Sequence, residues 1–304
     1  TTTIDFMRRR RVTAALSVSI IVVSIVSLST RGLNFGVDFT GGVLLEVGYP
    51  EAADLSQIRS TLGFEGFGEA QVQNFGTARD VMIRLLPREG MESSQLGEKI
   101  LQVLRASGDT VNLRRVEFVG PQVGEELTER GGLAMLFAML MILGYIMLRF
   151  QWKFAVGAVA ALVHDVIVTL GMFSLFQISF DLSVLAAILA VIGYSLNDTI
   201  VLFDRIRENF RRTRRGTAQA IMNSSINQIL GRTLITSMTT LFVLIALVWF
   251  GGEAVRGFAI ALIIGVLVGT YSSIYTAGAT ALALEVSPVD LMPPKKLENP
   301  DGLP

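Results

Sequence analysis

Residues 182–203 read LSVLAAILAVIGYSLNDTIVLF, an apolar run interrupted by a single charge, Asp198. At about 1.5 Å per residue, a helix of this length crosses the roughly 30 Å hydrocarbon core of a bilayer. Five other blocks share its character. Residues 12–30, 131–148, 234–250 and 258–284 are free of charge, and 154–180 contains only His164 and Asp165. With 51% hydrophobic and 17% charged residues in 304, the chain is too poorly charged for an ordinary soluble protein. The fold class expected is therefore membrane α-helical, with six transmembrane helices. Block 12–30 is longer than the apolar core of a cleaved signal peptide and lacks an A-x-A site, so it reads as a permanent span.

Between the first two blocks, residues 31–130 change to soluble composition. Residues 43–49, 69–75, 80–86 and 111–119 have strand character. Residues 54–62, with Asp54 or Ser56 near the start, and 92–106, ended by Gly108, have helix character. In the last strand Val111 and Leu113 share one parity and Val116 and Phe118 the other, which signals a bulge or twist. The order is βαββαβ, an inserted α+β domain of ferredoxin-like pattern. The expected organisation is a cytoplasmic N-terminus with helix 1 over 1–30, a periplasmic domain over 31–130, and helices 2–6 over 131–284. An interfacial amphipathic connection is expected at 204–231, where Ile221, Met222, Ile226, Ile229 and Leu230 recur at helical spacing. The proline-rich tail 285–304 reads as disordered and cytoplasmic.

Arginine and lysine orient the spans. Arg8–Arg11, the 149–153 connection, the 205–215 connection and Lys295–Lys296 are rich in them; 179–181 has none and 251–257 has only Arg256. All the rich segments fall on one side of a six-span chain. Both termini then face the cytoplasm of a bacterial inner membrane, and domain 31–130 faces the periplasm. Net charge is zero, so no global field points to nucleic acid. The chain has no cysteine, one histidine and no G-x-x-x-x-G-K-[ST] run, so thiolate and histidine-rich metal sites and a P-loop are excluded. No cofactor and no metal is expected, and no enzyme chemistry is readable.

Ionisable groups inside spans persist mainly where they face protein or a water path. Asp198 lies sixteen residues into its span, about 24 Å along it and so in the cytoplasmic half. Asn197 and Thr199 flank it. Burial and a nearby cation pull a carboxyl's proton affinity in opposite directions, which suits a group that loads and unloads protons. Arg232, at the start of span five, is the candidate cation; a static buried ion pair is the alternative. His164 and Asp165, near midplane, either extend a proton path or make interhelical hydrogen bonds. As sequence neighbours on a helix they point about 100° apart and are expected not to form a compact pair. Asp204, Arg205, Arg207 and Glu208 read as cytoplasmic interface anchors. Gly265 and Gly269 form G-x-x-x-G, and Ala186 and Ala190 repeat its spacing, as close helix contacts do. Gly36, Asp38, Gly41 and Gly42 read as a structural joint between span one and the domain.

Five stretches together carry a resemblance: NFGVDFTGG (34–42), ALVHDVIVTLG (161–171), GYSLNDTIVLFDRIREN (193–209), GRTLITSMTTL (231–241) and residues 256–275, ending in GTYSSIY. In them the chain resembles the SecF branch of the SecD/SecF protein-export family, within the resistance-nodulation-division superfamily. The resemblance covers nearly the whole length. It implies a six-span unit paired with SecD that works beside the SecYEG channel with YajC among membrane lipids. It implies binding of an emerging preprotein on the outer face, driven by the proton motive force, with Asp198 and Arg232 as relay partners. Two other readings stay open. One is an exporter of small molecules or lipids from the same superfamily; the other is a scaffold without proton chemistry.

Overall fold

The computed structural model describes residues 2–87, 93–106, 111–213 and 216–286. A 3-10 turn (Met7–Arg9) leads into α1 (Arg10–Arg31). Next come β1 (Asn34–Phe35), α2 (Val37–Thr40), β2 (Gly42–Gly48), α3 (Leu55–Phe64), β3 (Gln71–Phe75), β4 (Thr77–Leu85), α4 (Ser93–Ala106) and β5 (Asn112–Val119). The remainder is α5 (Pro121–Arg149), α6 (Trp152–Phe176), β6 (Ser179–Phe180), α7 (Leu182–Arg212), α8 (Ala218–Phe250), α9 (Glu253–Ser272), a π turn (Ser273–Ala277) and α10 (Gly278–Ala283). Among the described residues, six stretches are long and apolar enough to cross a membrane: Met7–Arg31, Val123–Arg149, Trp152–Phe176, Leu182–Arg212, Ala218–Phe250 and Val255–Ala283. This is a multi-pass membrane protein.

The bundle core is built by α6, α7 and the last span. Phe154, Ala158, Ala161 and Leu162 of α6 meet Val184, Ala187, Ile188 and Ile192 of α7 and Ala261, Ala277 and Ala281 of the last span. Spans α1, α5 and α8 are peripheral and keep apolar faces outward, as Val22, Phe137, Met141, Phe242 and Val243 show. Lipid solvates such faces, whereas water would not. The expected close contact through Gly265 and Gly269 is present: a Cβ on Gly265 would lie 2.1 Å from Val191 Cγ2, and one on Gly269 3.0 Å from Ser195 Cβ. Ala186 and Ala190 are instead on the exposed face of α7.

The inserted domain is a four-stranded antiparallel sheet of order β3-β4-β2-β5 with α3 and α4 on one face. Val43, Leu45 and Val47 alternate inward from β2 onto Ile58 and Leu62 of α3 and Leu96, Ile100 and Leu104 of α4. The parity slip in the last strand is a bulge: Glu46 pairs with Arg115 and Val47 with Leu113, leaving Arg114 extra. Asp54 is the N-cap of α3, its Oδ1 accepting from the backbone N–H of Ser56 at 2.8 Å and Gln57 at 3.2 Å.

One element differs from expectation. No separate amphipathic helix spans 204–231. Helix α7 continues unbroken to Arg212, and α8 already starts at Ala218 behind the Thr217 N-cap. The apolar positions 221, 222 and 226 are buried against the bundle instead of lying on a membrane surface. Of the tail, residues 285 and 286 close the last span, with Val286 buried; 287–304 lie outside the described residues.

Candidate functional site

Helix α7 carries the site. Ser195, Asp198 and Thr199 sit at i, i+3 and i+4, a spacing that puts them on one helix face. All three are buried, Asp198 at 6% exposure. Its Oδ2 is buried with no hydrogen-bond partner from the protein. A carboxyl oxygen held this way calls for water or for its own proton.

Asp165 of α6 is the opposite case. Its Oδ2 accepts from the Ser195 hydroxyl at 2.5 Å and from the Ser272 hydroxyl at 2.8 Å. Its Oδ1 lies 3.0 Å from His164 Nδ1. The expectation that His164 and Asp165 are too divergent to pair is therefore wrong. Asp165 turns its Oδ2 toward the hydroxyls of α7 and α9 and its Oδ1 back to the His164 ring, whose Nε2 is buried without a hydrogen-bond partner from the protein. Asp165 thus ties three spans together. The His164 ring also lies against Tyr271, with centroids 6.1 Å apart. The Tyr271 hydroxyl reaches Ser17 Oγ at 3.1 Å and donates to Thr13 O at 2.8 Å, joining α1 to the cluster.

The remaining relay candidates separate. Thr199 Oγ1 and Ser273 Oγ are 2.9 Å apart, so Thr199 belongs to the buried cluster. Asn197 is exposed on the other side of α7 and takes no part in it; one residue on a helix is about 100°, enough to turn it out. Arg232 stands on the exposed side of α8 over a groove shared with Val201, Asp204, Arg205, Glu208 and Gln228. Among the described ion pairs none joins it to Asp198 directly.

At this end of the bundle, polar anchors link helices. Arg149 pairs with Asp204 at 3.1 Å. Arg205 pairs with Glu208 at 2.5 Å and donates to Gln228 Oε1 at 2.6 Å. Glu208 also holds Arg212 at 2.8 Å. Arg207 is half-buried with its Nε unpartnered. Surface pairs of this kind are worth about 0–1 kcal/mol each.

At the far end of α7 the glycine-rich segment forms a joint. β1 runs parallel to β6, and the Gly36 N–H donates to Phe180 O at 2.8 Å. The Leu182 N–H donates to Asp38 Oδ2 at 2.9 Å, so a residue of the joint satisfies one of the free amides at the α7 N-terminus. Asp181 accepts from Val184 N–H as the local N-cap. Gly42 has φ +113, and a Cβ there would lie 2.1 Å from Leu85 O, so only glycine fits. Gly41, also at positive φ, ends α2. Arg84 of β4 donates to Thr40 Oγ1 at 3.0 Å, and burial lowers its guanidinium pKa from the usual value. Above the joint, a cavity of about 310 Å³ separates the open sheet face (Leu44, Glu46, Met82, Arg84) from Asp181 and Ser183 of α7.

Sequence reasoning singled out neither Ser195 nor Tyr271. The available signal was the i, i+3, i+4 grouping of Ser195 and Thr199 with Asp198.

Two family models match the chain: SecD/SecF protein export membrane protein, C-terminal, over residues 99–287, and the SecD/SecF GG motif over residues 26–49. The second contains the joint. Protein translocase subunit SecF of Vibrio alginolyticus is 55% identical over 96% of this chain and 93% of that protein. The SecF subunit of Pseudomonas aeruginosa is 49% identical over 99% of this chain and 98% of that protein. The crystal structure of SecDF, a translocon-associated membrane protein from Thermus thermophilus, superposes with a TM-score of 0.85 at 35% identity. SecDF in a super-membrane-facing form gives 0.70 at 36%. This chain covers 39% of each of those longer chains and is itself covered to 93%. Full-length similarity, both family models and the shared architecture agree: the chain belongs to the SecF family of protein translocase subunits.

Proposed function

We propose that this subunit uses the proton motive force to assist preprotein translocation, with Asp198 as the group that takes up and releases the proton. The observation that carries the reading is a carboxyl at 6% exposure, inside an apolar span, with one oxygen unpartnered by protein. Arg232, on the exposed groove side of α8, supplies a positive charge, and among the described ion pairs it is not locked in a contact pair with Asp198. One charge moved through 100 mV corresponds to about 2.3 kcal/mol. That biases a two-state equilibrium roughly fiftyfold, enough to drive a rearrangement partway but not to completion.

Helix α7 supplies the mechanical link. It is one uninterrupted helix from the Leu182 amide, held by Asp38, to Asp198 and on to the Arg205 anchors. A change in its tilt at Asp198 would be felt at the joint and in the inserted domain. The unequal match to two SecDF forms supports a family architecture with more than one arrangement. In this reading residues 31–130 form a ferredoxin-like periplasmic domain that holds the emerging polypeptide. Both termini are cytoplasmic in the bacterial inner membrane. SecD supplies a second six-span unit, and SecYEG and YajC complete the assembly. The gradient drives the work without a cofactor. Asp165 and His164 hold the helices in register.

The test is Asp198→Asn in the complex with SecD, reconstituted in liposomes with an imposed pH gradient and a pH-sensitive dye inside. Loss of flux and of gradient-dependent export with the complex intact is expected; wild-type flux contradicts the proposal.

A further inference from the structure

The last span is interrupted where it meets Ser195 and Thr199 of α7. Ser273–Ala277 form a π turn between α9 and α10. Such turns are rare and recur at functional sites. This one lets two registers coexist. Upstream, Gly265 and Gly269 lie against Val191 and Ser195, and Ser272 donates to Asp165. Downstream, Ala277 O and Ala281 N pack within 4 Å of where a Gly157 Cβ would stand, and Gly278 meets Met7. An unbroken α-helix would rotate one set about 100° per residue away from the other.

The residue that opens the π turn is Ser273, at 2% exposure. Its Oγ lies 2.9 Å from Thr199 Oγ1, immediately after Asp198, and donates to Ser195 O at 3.4 Å, three residues before it. A hydroxyl has one proton, so the consistent arrangement is Thr199 O–H to Ser273 Oγ and Ser273 O–H to Ser195 O. One side chain of the last span therefore holds both ends of the α7 turn that contains Asp198. We propose that Ser273, presented by the π turn and acting through Thr199, is a positioning residue for Asp198. It sets where the carboxyl stands relative to the Arg232 charge. The inference rests on the proton-carrier reading of Asp198 and adds the device that aims it.

The experiment uses the SecD-containing complex in liposomes and compares Thr199→Val, which keeps shape and removes the hydroxyl, with Thr199→Ser, which keeps the hydroxyl. Ser273→Ala and the Ser273→Ala/Thr199→Val pair complete the cycle, and Asp198→Asn runs in parallel. Loss of one positioning hydrogen bond is expected to lower proton flux about tenfold. Thr199→Ser should recover flux to within about twofold, and the double variant should be no worse than Ser273→Ala alone. A contact that serves packing alone would lower thermal stability and leave flux per folded complex unchanged, which overturns the proposal. Equal losses in Thr199→Ser and Thr199→Val overturn it too. If Asp198→Asn abolishes flux while Ser273→Ala and Thr199→Val keep it, this inference falls and the carrier reading stands. If Asp198→Asn keeps flux, both fall. Should Ser273→Ala fail to assemble, the Thr199 pair decides alone.

Discussion

Two carboxyls lie buried in the same bundle, and their surroundings differ in kind. Asp165 has hydroxyl donors from two other helices and a histidine beside it. Asp198 has a buried oxygen with no hydrogen-bond partner from the protein. A fully satisfied buried polar group rigidifies what it joins; a partly satisfied one is a place where protonation can change. In the proposed mechanism this difference leaves architecture to Asp165 and proton transfer to Asp198.

The strongest way to break that contrast is to neutralise each carboxyl in turn. Asp198→Asn should cost proton flux about a hundredfold or more, while unfolding of the complex in detergent shifts by less than about 1 kcal/mol. Asp165→Ala should do the reverse. Stranding the Ser195 and Ser272 hydroxyls and His164 should cost about 2–4 kcal/mol of stability, with flux per folded complex largely kept. Next in size is Gly265→Ala. Its new methyl meets Val191 and should separate α7 from α9 at a cost of about 1–3 kcal/mol, read as a lowered unfolding midpoint. Removing the joint's hold on α7 by Asp38→Ala should cost about 1 kcal/mol, and in the proposed mechanism should uncouple export from flux. The smallest effect is expected at Asn197: Asn197→Ala should stay within about 0.5 kcal/mol in the isolated chain, because that side chain leaves the cluster altogether.

Hydropathy and charge located the spans well because both are properties of whole segments. Residues 182–203 read as a span at first sight, and even the bulge at Arg114 was visible as a parity slip. Rotation about a helix axis was harder. Nothing in the local composition tells Asn197 from Thr199, yet α7 turns one out and the other in. The angle between the Cα–Cβ bonds of His164 and Asp165 argued against their contact, but side-chain torsions close that gap and bring His164 Nδ1 to Asp165 Oδ1. The start of α8 at Ala218 was hidden for a related reason. Its first turns are polar on one side and buried on the other, a pattern that suits a membrane surface as well as a bundle. The π turn left no periodic trace, since one extra residue in a single turn is set by contacts at both ends of it.

The most direct measurement is difference infrared spectroscopy of the reconstituted SecD-containing complex as a pH gradient is imposed and collapsed. A carboxylic acid band that comes and goes with the gradient should vanish in Asp198→Asn and persist in Asp165→Asn. A band that survives Asp198→Asn and disappears with Asp165→Asn would reverse the assignment of the two carboxyls.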